Sequence, residues 1–311
     1  PGWKTAIAEL ANASGEDCAT FTSFRNSLRN RRDHFKRHGA TATDHGVATC
    51  ETLLLDNKEQ ENLFAIILSG KFSKEDADKF RAMMLLEHAR MAADDGLVMQ
   101  IHPGSSRSHN QQIAKTYGVD RGFDIPIATN YVRELQPLLN EVGLHPNFRA
   151  VLFTLDESTY SRELAPLAGV YPSLRLGPPW WFHDSLNGMQ RWRDSVTETA
   201  GFYNTVGFID DTRAFASIPV RHDVARRFDA AYLANEVYTA TYTARPSIAA
   251  DITMLIIHKQ DFPIMSAFSV GTSFFNAKTL ATNHYLTFGH NDVYDAHLRE
   301  RALLKIATDV A

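Results

Sequence analysis

Between residues 19 and 233, long stretches with apolar residues at helical spacing alternate with short apolar runs, the pattern of βα units on a parallel sheet. Ser73, with Asp76 three residues on, predicts a helix start; Ala77, Phe80, Met84 and Met91 recur at helical spacing, Gly96 supplies a stop, and the run "LVMQIH" follows. A second helix is predicted over Tyr131 to Val142 with Leu135, Leu138 and Leu139 facing inward, so that Pro137 must sit in its first turn or kink it. Next come the run "RAVLFTLDES", a helical "SRELAPLAG", the short run "SLRLG", and a helix from Asp184 with Met189, Trp192, Val196 and Ala200 as its apolar stripe. The run "TVGFIDDTR" precedes a helix with Val224, Phe228 and Tyr232 on one side. Beyond residue 237 the chain changes character: "ADITMLIIHKQDFPIMSAFSVGTSFF" is strand-rich and turn-broken, and "NDVYDAHLRERALLKIATDV" reads as a terminal helix.

This pattern predicts an α/β fold, with residues 1–237 as one portion and 238–311 as a C-terminal segment that completes the sheet or forms an appendage. The basic run "RNSLRNRRDHFKRH", with Leu28 and Phe35 on one side, is expected to be the solvated face of a helix.

Composition narrows the function classes. With 311 residues, 44% of them apolar and 22% charged, and a formal net charge of -4, the chain reads as an ordinary globular protein without the basic excess of a nucleic-acid binder. The longest aliphatic runs, such as "MLII" at Met254 to Ile257, are far short of the roughly 20 residues of a spanning helix. Cys18 and Cys50 have neither metal-site spacing nor a disulfide framework, and "PGWKTAIAEL" lacks a basic segment followed by an apolar one. A cytoplasmic location is therefore expected.

The apolar runs end in polar residues: Asp44 and His45 after "TAT", His102 after "LVMQI", Asp156 after "VLFTL", Asp210 and Asp211 after "TVGFI". In parallel α/β folds the carboxyl ends of strands face the ligand, whereas Asp at such positions also caps the next helix. Both readings stand for each carboxylate. His102 is either a core histidine satisfied locally or a residue at the mouth of a site. Imidazole and carboxylate suit zinc, which makes His102 and Asp211 candidate ligands of a divalent metal. Arg213, two residues past Asp211, shares its face in an extended segment and suits an anionic substrate, and Arg107 in the loop after His102 is a second candidate clamp. "PPWWFHDS" places Trp180 and Trp181 directly after a strand, where an aromatic face lines a site's mouth or packs under the rim.

In order along the chain, "TATDHG", "LVMQIHPGSSRSHN", "LFTLDES", "LGPPWWFHDSLNGM" and "NTVGFIDDTRAFASIPVRHDVARR" resemble segments of the uronate isomerases of the amidohydrolase superfamily, over about residues 1 to 234. The resemblance implies a metal-dependent (β/α)₈ TIM-barrel-like fold, incomplete or permuted, with a C-terminal appendage. It also implies aldose–ketose isomerisation of a hexuronate, D-glucuronate to D-fructuronate or D-galacturonate to D-tagaturonate. Carried over by motif, His102 and Asp211 become metal ligands and catalytic residues, and zinc the expected metal. Arg213, Arg107, His45, Trp180 and Trp181 become substrate contacts, joined by Lys4, which stands where the family often has an Arg after its Trp. The expected partners are a small-molecule sugar acid and, in a homo-oligomer, other copies of the chain, with no nucleic acid and no membrane. The family's His-x-His pair of metal ligands has no counterpart in this sequence, although "DFPIMSAFSVGTSFF" is similar to the family's first-strand segment, with Phe268 and Val270 at the two His positions. Two other readings are a metal-dependent hydrolase on the same barrel, with Asp211 activating water, and a non-catalytic remnant that binds a sugar acid or a partner.

Overall fold

The computed structural model describes residues 2–119, 121–209, 215–243, 252–259 and 263–270; residues 181, 182 and those from 237 onward are described by their backbone alone. The chain divides into two compact units, Pro1–Phe182 with Asp194–Ile209, and His183–Arg193 with Asp210–Ala311.

The first unit opens with helices α1 (Trp3–Ser14) and α2 (Phe21–Arg37), strand β1 (Ala42–His45), helices α3 (Asn57–Ser69) and α4 (Lys74–Asp95), and strand β2 (Val98–Ile101). A short ribbon, β3 (Ser105–Ser106) and β4 (Ile125–Pro126), brackets α5 (Gln111–Tyr117). Helices α6 (Tyr131–Glu134) and α7 (Gln136–Val142), strand β5 (Ala150–Leu152), a π-helical turn at Tyr160–Leu164, α8 (Ala165–Val170) and β6 (Leu174–Leu176) follow. α9 (Leu186–Ala200) begins in the second unit and ends in the first.

Local chemistry explains these boundaries. Thr20 with Ser23, Asp56 with Glu59, and Ser73 with Asp76 form reciprocal capping boxes that satisfy the free N–H groups at the starts of α2, α3 and α4. The helix expected over Tyr131 to Val142 breaks at Leu135. Pro137 falls on the second residue of α7, where its missing N–H costs nothing, so a first-turn proline in a new helix replaces a kink in a long one.

The four strands β1-β2-β5-β6 are parallel and lie in chain order, without the reversal of a doubly wound sheet, which is the arrangement of a barrel wall. Thr205 adds a parallel bridge to Leu176 at the start of the run expected at "TVGFIDDTR", of which residues 205–209 are described. The register sets Asp44 beside Gln100, Gln100 beside Val151 and Val151 beside Arg175. Alternation then puts Met99, Ile101, Ala150, Leu152, Leu174 and Leu176 on the other face, where all are buried against the helices.

An aromatic cluster locks the helices. Trp3, Phe21, Phe24, Phe64 and Phe80 interleave α1 to α4, with the Phe24 and Phe64 rings stacked at 5.0 Å. The basic run on α2 is only in part a solvated face: Lys36, Arg37 and His38 are exposed, while one stripe of it is paired. Arg25 pairs with Glu87 at 3.5 Å, Arg29 with Asp94 at 2.7 Å, and Arg32 grips Asp95 through two bonds of 2.5 and 2.9 Å, while Lys36 donates to the Asp95 carbonyl. Their helical spacing forms a stripe, and it meets the acidic last turns of α4. The expectation holds for part of the run only, because periodicity marks a charged face but not the charges opposite it.

Beneath β1, the His45 ring lies 4.8 Å from the His88 ring of α4, and His45 Nε2 meets Thr43 Oγ1 at 3.0 Å. Burial, joined by the His88, Arg32 and His102 charges and opposed by Asp44, pushes the His45 pKa down to about 3. Burial, with Arg32 adding to it, pushes His88 to about 4.

In the second unit the first half of α9 carries Arg193, whose guanidinium holds Asp229 of α10 (Ile218–Thr243) through two bonds of 2.8 Å and lies over the Trp192 ring at 4.4 Å. The buried seam of α10 is Ala225, Asp229, Tyr232 and Leu233. Val224, expected on that face, is 39% exposed, because the seam is rotated to present Asp229 to Arg193. β7 (Ile252–Lys259) and β8 (Pro263–Val270) pair antiparallel as a hairpin. The terminal helix expected from "NDVYDAHLRERALLKIATDV" lies outside the described residues.

Two expectations about stability follow. The side chains of Arg193 and Asp229 are 1% and 8% exposed, so Asp229→Ala, which removes the carboxylate bonded twice to a buried guanidinium, should cost about 3–5 kcal/mol in urea unfolding, whereas the Arg193→Met/Asp229→Leu pair should recover most of it. His45 and His88 stay neutral in the folded chain near pH 5, where the unfolded chain binds protons at an ordinary pKa of about 6.5. Above that value both states are neutral and the difference costs nothing; below it stability falls progressively as pH drops toward the folded-state values of about 3 and 4. His88→Gln should therefore flatten the dependence of unfolding free energy on pH by about 1.2 kcal/mol per unit between pH 6 and 5, measured by urea unfolding across that range.

Candidate functional site

The ladder continues one residue past each strand. His102 N–H donates to the His45 carbonyl at 3.1 Å, Phe153 N–H to Ile101 at 2.9 Å, Gly177 N–H to Leu152 at 2.9 Å, and Val206 N–H to Leu176 at 3.0 Å. The carboxyl ends of the strands are thereby held in one row. His102 is two residues past Gln100, so alternation returns it to the face that carries Asp44. There His102 Nε2 meets Asp44 Oδ1 at 2.9 Å; the histidine side chain is 14% exposed and the aspartate 64%. The carboxylate faces solvent, and the imidazole lies sheltered behind it.

Aromatic rings wall the pair. The Trp180 ring stands edge-on to His102 at 5.5 Å and stacks on Phe153 at 5.5 Å. Trp180 has a φ of 40°, in the left-handed region that a bulky residue adopts only under constraint. Two glycines let these rings lie against backbone: a Cβ on Gly46 would come within 2.8 Å of His102 Cε1, and one on Gly177 would overlap the Phe153 ring. Buried tyrosines brace the row from below, Tyr131 OH donating to the Phe153 carbonyl at 3.2 Å and Tyr160 OH to the Gly177 carbonyl at 2.6 Å. Burial holds the Tyr131 phenol protonated by pushing its pKa up.

The polar strand ends thus take different parts. Asp44 and His102 converge. His45 lies on the helix-facing side against His88. Asp156 accepts from the Ser158 N–H at 3.0 Å and its hydroxyl at 2.6 Å, the turn-closing alternative for that carboxylate. Asp210, Asp211 and Arg213 lie outside the described residues. Arg107 sits in the turn after β3, where Ser108 N–H donates to Asp124 at 2.8 Å, and Asn110 caps α5. Trp181 is described by its backbone in the 3₁₀ turn Trp180–His183. Lys4 donates to the Ser69 carbonyl at the end of α3, at 3.3 Å, and no contact among the described residues joins it to the His102 row.

Sequence reasoning missed Phe153, Tyr131, Tyr160 and His88. Phe153 carries a legible signal, being the residue after an apolar run that ends at a neighbouring strand; the tyrosines and His88 carry none, since their partners are distant in the chain. Among the described residues no group of three or more His, Cys, Asp or Glu is placed to hold a metal ion. None of the described helices is long and apolar enough to cross a membrane.

The glucuronate isomerase family model matches residues 1–258. The uronate isomerase of Rhizobium meliloti is 56% identical over 236 residues, which are 76% of this chain and 50% of that protein. That of Mesorhizobium japonicum is 51% identical over 257 residues, 83% of this chain and 54% of the relative. Among solved structures, the glucuronate isomerase of Caulobacter crescentus superposes with a TM-score of 0.72 at 56% identity, covering 75% of this chain and 49% of that one. The uronate isomerase of Thermotoga maritima gives a TM-score of 0.70 at 27% identity, covering 79% and 54%. The chain spans about half the length of the curated relatives it matches. The segments around His102, Asp44 and Trp180 fall within the family match, and the chain belongs to the glucuronate isomerase family.

Proposed function

We propose that this chain acts in uronate isomerisation, interconverting the aldose and ketose forms of a hexuronate, D-glucuronate with D-fructuronate or D-galacturonate with D-tagaturonate. The observation that carries this reading is the Asp44–His102 pair, sheltered by Trp180 and Phe153 at the carboxyl end of a parallel sheet. Aldose–ketose isomerisation moves one proton from C2 to C1 and another between the adjacent oxygens, and it needs a positioned base and exclusion of water. Asp44 accepts at Nε2 of His102 and orients the ring, which leaves Nδ1 as the one ring nitrogen for either the substrate or a metal. Trp180 supplies an apolar wall, to which Trp181 is assigned by motif, and Arg107 and Arg213 are the cations assigned to the substrate carboxylate. Asp211 is the partner assigned to His102 in proton transfer. Lys4 and His45, given the same assignment by motif, are engaged at Ser69 and His88 respectively.

A divalent metal, zinc by ligand type, is assigned to His102 and Asp211. Among the described residues His102 has one carboxylate beside it and no larger ligand cluster, so these residues alone do not close a metal site. Metal analysis of the purified protein tests this assignment: stoichiometric zinc supports it, and a metal-free active protein overturns it.

Isomerase activity is tested by incubating the purified chain with D-glucuronate and D-galacturonate and identifying the products. A ketose of unchanged mass is expected, and a product that has gained water identifies a hydrolase instead. His102→Ala should lower turnover by about 10²–10⁴-fold. Asp44→Asn should lower kcat by about 10-fold with KM little changed, as loss of a positioning carboxylate does. An unchanged rate in His102→Ala, or no turnover by the parent chain, overturns the proposal.

A further inference from the structure

The sheet carries a repeated device that the proposed isomerase reading leaves unused. Pro146-Asn147-Phe148-Arg149 leads into β5, and Pro172-Ser173-Leu174-Arg175 spans the start of β6. In each, the arginine folds back so that Nη1 donates to the carbonyls one and three residues before it. Arg149 reaches Phe148 at 2.6 Å and Pro146 at 2.9 Å; Arg175 reaches Leu174 at 2.7 Å and Pro172 at 3.0 Å. The two strands are parallel neighbours with Val151 beside Arg175, and Arg149, two residues before Val151, shares that face. Two like charges therefore stand side by side on the polar face of the sheet, toward its amino-terminal ends.

A guanidinium offers five N–H donors, and each of these spends only those of Nη1 on backbone. Among the described residues neither has a carboxylate partner. Arg175 is partly buried, and burial first, then the Arg149 charge beside it, presses its pKa downward. Carbonyls that fix Nη1 leave the Nε–Nη2 edge of each fork pre-set, the edge that binds an oxyanion through two parallel bonds.

We propose that Arg149 and Arg175 form an oxyanion site that takes a tetrahedral dianion, inorganic phosphate or the phosphoryl group of a phosphate monoester. The site is separate from the His102 row and does not rest on the isomerase reading. Isothermal calorimetry with inorganic phosphate on the intact chain, repeated with methyl phosphate, tests it. Saturable binding that weakens with added sodium chloride is expected. Comparable affinity for methyl phosphate identifies the phosphoryl group as sufficient, and loss of it identifies free phosphate as the ligand. Arg149→Gln and Arg175→Gln should each weaken binding at least 10-fold. Arg149→Lys, which keeps the charge and removes the fork, should weaken it less, and this variant carries the test if a Gln variant fails to fold by circular dichroism. Absence of saturable phosphate binding, or binding unchanged in the Arg149→Gln/Arg175→Gln pair, overturns the site.

Discussion

The parallel pairing of β2 between β1 and β5 is the constraint on which the first unit depends. Because side chains alternate, one register decides at once which residues meet helices and which meet ligand. It sends Met99, Ile101, Ala150, Leu152, Leu174 and Leu176 into the core and brings Asp44, Gln100, His102, Arg149 and Arg175 to the opposite face. A slip of one residue on β1 alone would exchange Asp44 for His45 beside His102. The carboxylate–imidazole pair and the two guanidiniums are consequences of the same ladder, although they serve different chemistry.

The helices hold that ladder by two unlike means. An aromatic cluster from α1 to α4 supplies the apolar area, and a stripe of Arg25, Arg29, Arg32 and Lys36 on α2 fixes the axial position of α4 through its acidic end. Since α4 also carries His88 against His45 of β1, that position sets how β1 lies on the helical layer. The two imidazoles sit where protonation is costly, which couples the packing of the layer to pH.

At the carboxyl ends, small residues and strained backbone make room for rings. Gly46 and Gly177 admit the faces of His102 and Phe153, and Trp180 pays for its place with a left-handed backbone. Buried phenols from α6 and the π-helical turn then fasten the carbonyls of the row. The result is a sheltered imidazole behind an exposed carboxylate, an arrangement suited to holding and moving a proton.

Much of this was legible in the chain. The capping pair Ser73 and Asp76, the stripe of Met189, Trp192, Val196 and Ala200, and the polar tips of the apolar runs are local signals, and the structure contains each element they mark. His102 was legible for the same reason, since a strand end is a local event. What each tip does was not legible. Asp44 and His45 are adjacent in sequence, yet one meets His102 and the other meets His88, and only the pairing of β1 with β2 and α4 separates them. The rotation of α10 toward Arg193 and the docking of the basic run on α4 likewise depend on partners 36 and about 60 residues away. The sequence by itself determined the elements, their order and the family, because caps, periodicity and motifs act within a few turns of chain. Tertiary structure alone decided which charges pair and which ring stands beside which, because those choices belong to register and packing between distant segments.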